Sequence, residues 1–305
     1  MPTYFTRNFG CRANQADGAA IEQDLAARGY TPSDDHASAN VVILNSCTVT
    51  SEADADLRQS ARRIHRENPQ ARIVITGCYA QRRPEELSAL PGVEWVVGNA
   101  HKAEIAGLLE AEKTQEAKEA EDRTNPGTSS SASFVPLAQL AGAAHPDDDE
   151  TPLGAVRRAR ILTSDIYAAR QFAAAPFFGG TVEDRTRPNL KIQDGCNNRC
   201  SFCIIPSVRG LSRSLAPAEV VEQVRSLVAS GYREVVISGV NLGQYGRDLS
   251  ERDANGLKKT PRTSFVRLLR KVLDGTGIEK LRLSSVEPLD FTDKLLDLIA
   301  STPRI

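Results

Sequence analysis

Short apolar runs alternate with amphipathic stretches along the first hundred residues. The runs 41–45 and 72–76 are typical of buried strands, and residues 14–28 carry the apolar spacing of a helix that ends at Gly29. This alternation predicts a parallel sheet with both faces covered by helices. The predicted strands are 3–9, 41–45, 72–76 and 95–97, and the predicted helices are 14–28, 52–67, 84–89 and one from about 101.

A second alternating pattern begins near residue 187. Its predicted strands are 190–193, 234–238 and 280–284, and its predicted helices are 217–230, 264–273 and 293–301. This pattern is consistent with part of a β/α barrel. The expected fold class is therefore α/β, with an N-terminal open parallel sheet domain and a partial barrel.

The middle of the chain interrupts both patterns. Residues 113–155 are charged, then serine-rich, then acidic, a composition that buries too little apolar surface to fold alone. We therefore predict a first domain at 1–112, a largely disordered linker at 113–186 and a second domain at 187–305.

The 305-residue chain has a net charge of −1, but its charge is unevenly distributed. Residues 104–150 hold 3 Lys/Arg against 11 Asp/Glu, whereas residues 151–305 hold 24 against 16. The basic part is suited to a polyanion, although ordinary surface charge explains it equally well. No apolar run reaches the length of a membrane span and no signal peptide is expected, so we expect a cytoplasmic protein whose thiols are reduced.

Three cysteines form the spacing Cys-x3-Cys-x2-Cys in a loop after the predicted strand 190–193. They are Cys196, Cys200 and Cys203, and no histidine follows His145. Zinc prefers four closed ligands, whereas three thiolates suit a cubane iron–sulfur cluster with one iron left open. The alternatives are a three-cysteine zinc site or unliganded thiols.

The other three cysteines each follow one of the first three predicted strands. Cys11, Cys47 and Cys78 would share the carboxyl edge of a parallel sheet, and Gly10 and Gly77 would let the backbone turn tightly there. We therefore predict a second cluster. The alternative is that these cysteines are small buried hydrophobic residues.

Together these two sets of cysteines resemble the radical S-adenosylmethionine (SAM) methylthiotransferase family. Its signature is the Cys-x3-Cys-x2-Cys loop with an aromatic residue, here Phe202, before the last cysteine, and an N-terminal domain with three cysteines. The resemblance implies two 4Fe–4S clusters, with SAM bound at the open iron of the cluster held by Cys196, Cys200 and Cys203. It also implies that Gly239, Ser284, Ser285 and Glu287 contact SAM, although capping and turn roles, or plain surface exposure, explain the last three as well.

Five segments are similar to the group of this family that modifies N6-threonylcarbamoyladenosine beside the tRNA anticodon: 10–15, 45–50, 193–196, 239–246 and 283–288. The resemblance implies tRNA as substrate, an electron donor protein, a sulfur donor and no membrane. Alternatives are methylthiotransferases that act on isopentenyladenosine in tRNA or on a ribosomal protein. A non-catalytic, zinc-stabilised RNA-binding module is an alternative of another class.

Two further expectations concern the second domain. Family members continue beyond the last predicted helix with more barrel and a small RNA-binding domain, so we expect a truncated barrel here. Arg209 and Arg213 are suited to a phosphate or a carboxylate, and a solvated loop is the alternative.

Overall fold

The computed structural model describes residues 1–111, 158–172, 175–178, 187–249 and 263–305. They form two mainly parallel sheets with helices packed against them, which confirms the α/β fold class. No helix among these residues is long and apolar enough to cross a membrane. Most of the predicted linker lies outside the described residues.

The first sheet contains six parallel strands. They are β1 (Thr3–Asn8), β2 (Thr31–Pro32), β3 (Val41–Ser46), β4 (Arg72–Gly77), β5 (Val93–Val97) and β6 (Arg160–Leu162), in the spatial order β2-β1-β3-β4-β5-β6. The associated helices are α1 (Arg12–Ala27), α2 (Ser51–Glu67), α3 (Cys78–Arg82) and α4 (Pro84–Ser88). A 3-10 turn, Asn99–Glu104, precedes the helical residues 105–111.

Both faces of this sheet are buried, as the continuous apolar runs predict. Val42 and Leu44 of β3 pack with Leu57 of α2 on one face. Val41 and Ile43 belong to the cluster on the other face, which includes residues of α1. Because alternate residues of a strand point to opposite faces, an apolar residue at every position covers both.

The second sheet has three parallel strands and two short antiparallel ones. The parallel strands are β8 (Pro188–Asp194), β10 (Glu234–Gly239) and β11 (Lys280–Leu283), and the antiparallel ones are β7 (Phe177–Phe178) and β9 (Arg213–Ser214), both beside β8. The helices are α5 (Ile205–Arg209), α6 (Pro217–Ala229), α7 (Phe265–Gly275) and α8 (Asp293–Ser301). One apolar cluster joins this sheet to α6, α7 and α8.

The structure corrects the sequence prediction at several short elements. Arg160–Leu162, assigned to the linker, is an edge strand of the first sheet that hydrogen-bonds in parallel with β5. The two-residue strands β2, β7 and β9 were not predicted either. Elements of two or three residues are too short to show a periodic pattern, so they cannot be recognised from the sequence alone. Gly239 ends β10 itself rather than lying in the following loop.

Candidate functional site

The cysteines of the first set lie at the carboxyl ends of three adjacent parallel strands. Cys11 precedes α1 after β1, Cys47 directly follows β3, and Cys78 directly follows β4. Cys47 and Cys78 are buried, whereas Cys11 is exposed. The structure therefore brings the three residues to one edge of the sheet, and their role as ligands stays a prediction.

Glycines allow the loops that carry these cysteines to approach one another closely. Gly10 has a φ of 87°, and a Cβ added to it would lie 2.7 Å from Sγ of Cys47. Gly77 has a φ of 102°, and its added Cβ would collide with the backbone of Ser46. These positions accept only glycine because both the φ angle and the space exclude a side chain.

Asn14 fastens two of these strand ends together. Its Nδ2 donates to the carbonyl of Phe9 at 2.9 Å and to the carbonyl of Ser46 at 2.5 Å. Phe9 follows β1 and Ser46 ends β3, so this one buried amide helps to fix the positions of Cys11 and Cys47. Sequence reasoning gave Asn14 no role, although a polar residue on the apolar face of a predicted helix was an available signal.

The cysteines of the second set lie in the loop between β8 and α5 and line a cavity of about 310 Å³. Cys196 is half-buried, whereas Cys200 and Cys203 are exposed. The backbone N–H of Cys196 donates to the carbonyl of Gly210 at 3.0 Å, which holds the loop against the end of α5. Phe202 is 91% exposed, so its ring is free to contact a bound molecule.

Gln244, which lies in the loop after β10, supports the loop that carries the second set of cysteines. Its Oε1 accepts from the backbone N–H of Asn197 at 2.9 Å, and its Nε2 lies 3.7 Å from Sγ of Cys196. The side chain itself is buried. Gln244 was not predicted as a site residue, because its role depends on contact with Cys196, which is 48 positions away in the chain.

The residues predicted to contact SAM lie at the same carboxyl edge. Gly239 ends β10, and Ser284 and Ser285 follow β11, which pairs with β10. The Ser284 hydroxyl donates to the carbonyl of Ile237 at 3.3 Å, and Ser285 has a left-handed φ of 55°. Glu287 is exposed. The hydrogen bond of Ser284 is of the kind expected for its alternative role in a turn. Contact of these residues with SAM stays a prediction.

The cavity at Cys196, Cys200 and Cys203 is consistent with a cluster. Among the described residues, no three Cys, His, Asp or Glu side chains meet closely enough to hold one metal ion. Each thiolate of a cubane cluster binds a different iron, so its ligands surround a volume rather than a point. Three cysteines around a cavity whose described lining contains no carboxylate fit such a cluster.

A network of buried charges lies between the two sets of cysteines. Asp17 of α1 accepts from Lys102 at 2.5 Å and also pairs with Lys191 of β8. Arg209 of α5 donates to Asp194 at 2.9 Å and to Asp17 at 3.1 Å. This network joins the first domain to the second through side chains that are almost fully buried.

The cations of this network control the ionisation of its carboxylates. Burial alone would raise the pKa of Asp17, but Lys102, Lys191 and Arg209 outweigh burial and lower that pKa below its usual value. Arg209, Lys191 and Arg213 likewise outweigh the effect of burial on Asp194, so the pKa of this carboxyl is far below its usual range. Both carboxylates are therefore charged at neutral pH.

The Cys78 thiol faces the same cations. Burial raises the pKa of Cys78, and the positive charges of Arg209 and Lys102 partly offset this increase. Asn99 connects this thiol to the second domain, because its Nδ2 lies 3.7 Å from Sγ of Cys78 and 2.6 Å from the carbonyl of Val208.

The sequence left open whether Arg209 and Arg213 meet a carboxylate, a phosphate or solvent. The structure pairs Arg209 directly with Asp194 and places Arg213 3.9 Å from the same carboxylate. Both arginines are buried, so the solvated-loop alternative is wrong. The guanidinium of Arg209 is occupied by carboxylates and is not a phosphate site.

Two family models match this chain in consecutive regions. Residues 3–98 match the model described as Uncharacterized protein family UPF0004, and residues 190–302 match the Radical SAM superfamily. The first match contains Cys11, Cys47 and Cys78, and the second contains Cys196, Cys200 and Cys203. The first match covers β1 to β5 of the first sheet, and the second covers most of the second sheet.

The chain is similar along its length to several bacterial proteins. It is 32% identical to the threonylcarbamoyladenosine tRNA methylthiotransferase MtaB of Bacillus subtilis, with 100% of this chain and 56% of that protein covered. For MtaB of Aquifex aeolicus the identity is 32%, with 97% and 59% covered. A tRNA-2-methylthio-N(6)-dimethylallyladenosine synthase of Mycobacterium avium is 30% identical, with 99% and 36% covered. The chain therefore spans little more than half the length of the MtaB relatives.

The solved structure of the radical SAM methyltransferase TsrM from Kitasatospora setae, with cobalamin and a 4Fe–4S cluster bound, has a similar fold. The TM-score is 0.54 at 16% identity, with 98% of this chain and 57% of that chain covered. At this identity the similarity concerns the fold alone.

Proposed function

Because this chain belongs to the radical SAM methylthiotransferase family, we propose that it is a tRNA-modifying enzyme with two iron–sulfur clusters. Its reaction adds a methylthio group to the adenine ring of N6-threonylcarbamoyladenosine, next to the anticodon. The observation that carries this proposal is the placement of two three-cysteine sets at the carboxyl edges of two sheets, joined by one buried charge network.

The proposed domains are 1–112 and 187–305, and each has its own set of ligands. Cys196, Cys200 and Cys203 hold one 4Fe–4S cluster, and Cys11, Cys47 and Cys78 hold the other. When bound, the clusters supply the electron that cleaves SAM and the site from which sulfur is delivered. The protein itself supplies ligands, orientation and exclusion of water.

Several side chains of the second domain are placed to orient SAM. Gly239, Ser284, Ser285 and Glu287 follow or end strands at the same edge as Cys196, which is where ligands bind in parallel α/β folds. The Gly239 carbonyl is suited to accept from the amine of SAM, and the hydroxyl and carboxylate groups are suited to its ribose and methionine parts. Phe202 is exposed beside the third cysteine and offers an apolar surface to the cofactor.

The substrate assignment rests on the relatives and on charge. The MtaB proteins are named for threonylcarbamoyladenosine in tRNA, and two of them share 32% identity with this chain. The basic residues beyond 150 are suited to contact tRNA phosphates, and an anticodon-loop base can be splayed out into a protein site. The reaction also requires an electron donor protein and a sulfur donor, and we expect it to take place in the cytoplasm.

The second candidate substrate is isopentenyladenosine in tRNA. The dimethylallyladenosine synthase of Mycobacterium avium is 30% identical to this chain. Nucleoside mass spectrometry of tRNA from a bacterial host lacking its own methylthiotransferases, with and without this chain, distinguishes the two substrates. A methylthio group on threonylcarbamoyladenosine supports the first candidate, and one on isopentenyladenosine supports the second.

Metal analysis is the direct test of the proposed clusters. Iron, sulfide and zinc should be measured, with a visible spectrum, on protein purified and reconstituted without oxygen. About eight irons per chain are expected for two cubane clusters. About four irons would remove the cluster at Cys11, Cys47 and Cys78 from the proposal, and zinc without iron would favour a zinc-stabilised RNA-binding module instead.

A further inference from the structure

The buried network between the two domains contains more positive than negative charge. Its members are each less than a tenth exposed: Lys102, Lys191, Arg209 and Arg213 carry the positive charges, and Asp17 and Asp194 carry the negative ones. Four cations therefore face two carboxylates. An uncompensated buried charge is unfavourable, so this network favours a further anion nearby.

The known neighbours of these cations account for only part of the excess. Asp248 compensates part of the charge of Arg213, and its carboxylate also accepts from the backbone N–H and the hydroxyl of Ser214. Asn99 connects this network to the first set of thiols, because its Nδ2 lies 3.7 Å from Sγ of Cys78 and 2.6 Å from the carbonyl of Val208, the residue before Arg209. The thiols of Cys78 and Cys11 are among the acidic groups that act on Arg209. Cys78 also faces Lys102.

We propose that the buried cations Lys102 and Arg209 are the electrostatic counterpart of the iron–sulfur cluster at Cys11, Cys47 and Cys78, and that they raise its reduction potential. This inference rests on the proposed function for the identity of that cluster. Three bound thiolates give such a cluster a net negative charge, which increases when it accepts an electron. Nearby positive charge therefore stabilises the reduced form over the oxidised form.

The arrangement assigns these residues a positioning role. Arg209 belongs to the second domain, whereas the three thiols belong to the first, so part of the charge that sets the potential comes from across the domain contact. Asp17 and Asn14 hold the guanidinium of Arg209 in place, with Asn14 Oδ1 accepting at 2.6 Å. Docking of the two domains as in this structure therefore contributes to the potential of the first cluster.

The test uses the full chain in which Cys196, Cys200 and Cys203 are all replaced by Ala, so that only the first cluster remains. After anaerobic reconstitution, the midpoint potential is measured by a redox titration followed by electron paramagnetic resonance. Lys102→Met and Arg209→Gln each remove one cation and are expected to lower the potential. Asp17→Asn removes one negative charge and is expected to raise it.

Two control variants separate charge from packing. Arg209→Lys keeps the positive charge and should leave the potential close to that of the parent. Arg72→Gln removes a cation from the start of β4, the end of that strand opposite Cys78, and should also leave it unchanged. For Lys102→Met we expect the ratio of reduced to oxidised cluster at the parent midpoint to fall about tenfold, equivalent to about 59 mV for one electron.

The outcomes distinguish this inference from the proposed function. If the parent holds about four irons but Lys102→Met, Arg209→Gln and Asp17→Asn all titrate like Arg72→Gln, the inference is wrong and the proposed function stands. If the parent binds no iron, both fail. Should Arg209→Gln lose its cluster through misfolding, the opposite shifts expected for Lys102→Met and Asp17→Asn decide the question.

Discussion

Arg209 Nη2 lies 2.6 Å from Oδ1 of Asn14, although the two residues are 195 positions apart in the chain. Asn14 holds the strand ends beside Cys11 and Cys47, and Arg209 pairs with Asp194, two residues before Cys196. The loops that carry the two sets of cysteines are therefore connected by a short series of buried polar contacts. This connection fixes how the two candidate sites face each other.

The first prediction concerns the stability that Asp17 provides. Asp17→Asn removes the carboxylate that Lys102, Lys191 and Arg209 share, and leaves their charges without compensation. Because breaking a buried ion pair by removing one partner is strongly destabilising, we expect a loss of about 3–5 kcal/mol in the free energy of unfolding. Urea denaturation followed by circular dichroism measures it.

Asp24→Asn is the matched control on the same helix. Asp24 pairs with Arg28 at 3.0 Å, but both side chains are about one-third exposed. Solvent screens such a pair, so the control should cost much less than the loss of Asp17. Equal losses in the two variants would show that the buried network does not stabilise the domain contact.

The second prediction concerns pH. The folded-state pKa values of Asp17 and Asp194 are lowered, because nearby cations outweigh burial. On acidification the unfolded chain therefore takes up protons at these groups before the folded chain does. Their stabilising contribution is complete above the unfolded pKa of about 3.9 and is lost as the pH falls from there through the folded values.

Unfolding free energies measured between pH 6 and pH 3 check this prediction. The decrease with falling pH should be smaller in Asp17→Asn than in Asp24→Asn, because Asp17→Asn removes a carboxylate whose pKa is lowered in the folded state. Parallel profiles in the two variants would contradict the assignment of the acid-sensitive charge to Asp17.

The third prediction compares two glycines with similar backbone conformations. Gly10 and Gly29 have φ angles of 87° and 79°, so alanine is strained at both. Only at Gly10 does the added Cβ meet another group, Sγ of Cys47 at 2.7 Å, whereas nothing lies within 4 Å at Gly29. Gly10→Ala should therefore displace the Cys47 thiol.

Iron analysis distinguishes the two alanine variants. Gly10→Ala is expected to retain about four irons per chain, held by the second cluster, and Gly29→Ala about eight. Gly29→Ala should lose only the small amount of stability that backbone strain costs, whereas Gly10→Ala should lose more because its Cβ also meets Cys47. Full iron content in Gly10→Ala would mean that Cys47 does not ligate the first cluster.

The sequence was sufficient to predict the fold class and the positions of the cysteines at the sheet edge. The apolar runs of β3 and β4 identify strands buried on both faces, and parallel strands place their carboxyl ends together. In the structure β1, β3 and β4 are indeed adjacent strands. The edge strand Arg160–Leu162 was missed because three residues are too few to show a period.

The contacts between the two domains could not be predicted from the sequence. Lys191 lies between the apolar residues Leu190 and Ile192 in β8. This alternation predicts a strand with one face buried and the other exposed to solvent. In the structure its ammonium is fully buried against Asp17, 174 residues away. Local patterns report which face of a strand is polar, but not that another domain covers that face.

The fourth prediction assigns separate steps to the two sets of cysteines, and single substitutions in each set test it. Cys200→Ala removes a ligand of the cluster beside the proposed SAM site, so SAM cleavage and tRNA thiolation should both stop. Cys47→Ala removes a ligand of the other cluster, so SAM cleavage should continue while thiolation stops. Chromatography of 5′-deoxyadenosine and mass spectrometry of tRNA nucleosides measure the two steps, and each variant serves as the control for the other. If Cys47→Ala still forms the methylthio product, sulfur does not come from the first site; if Cys200→Ala still cleaves SAM, the second site does not carry the radical chemistry.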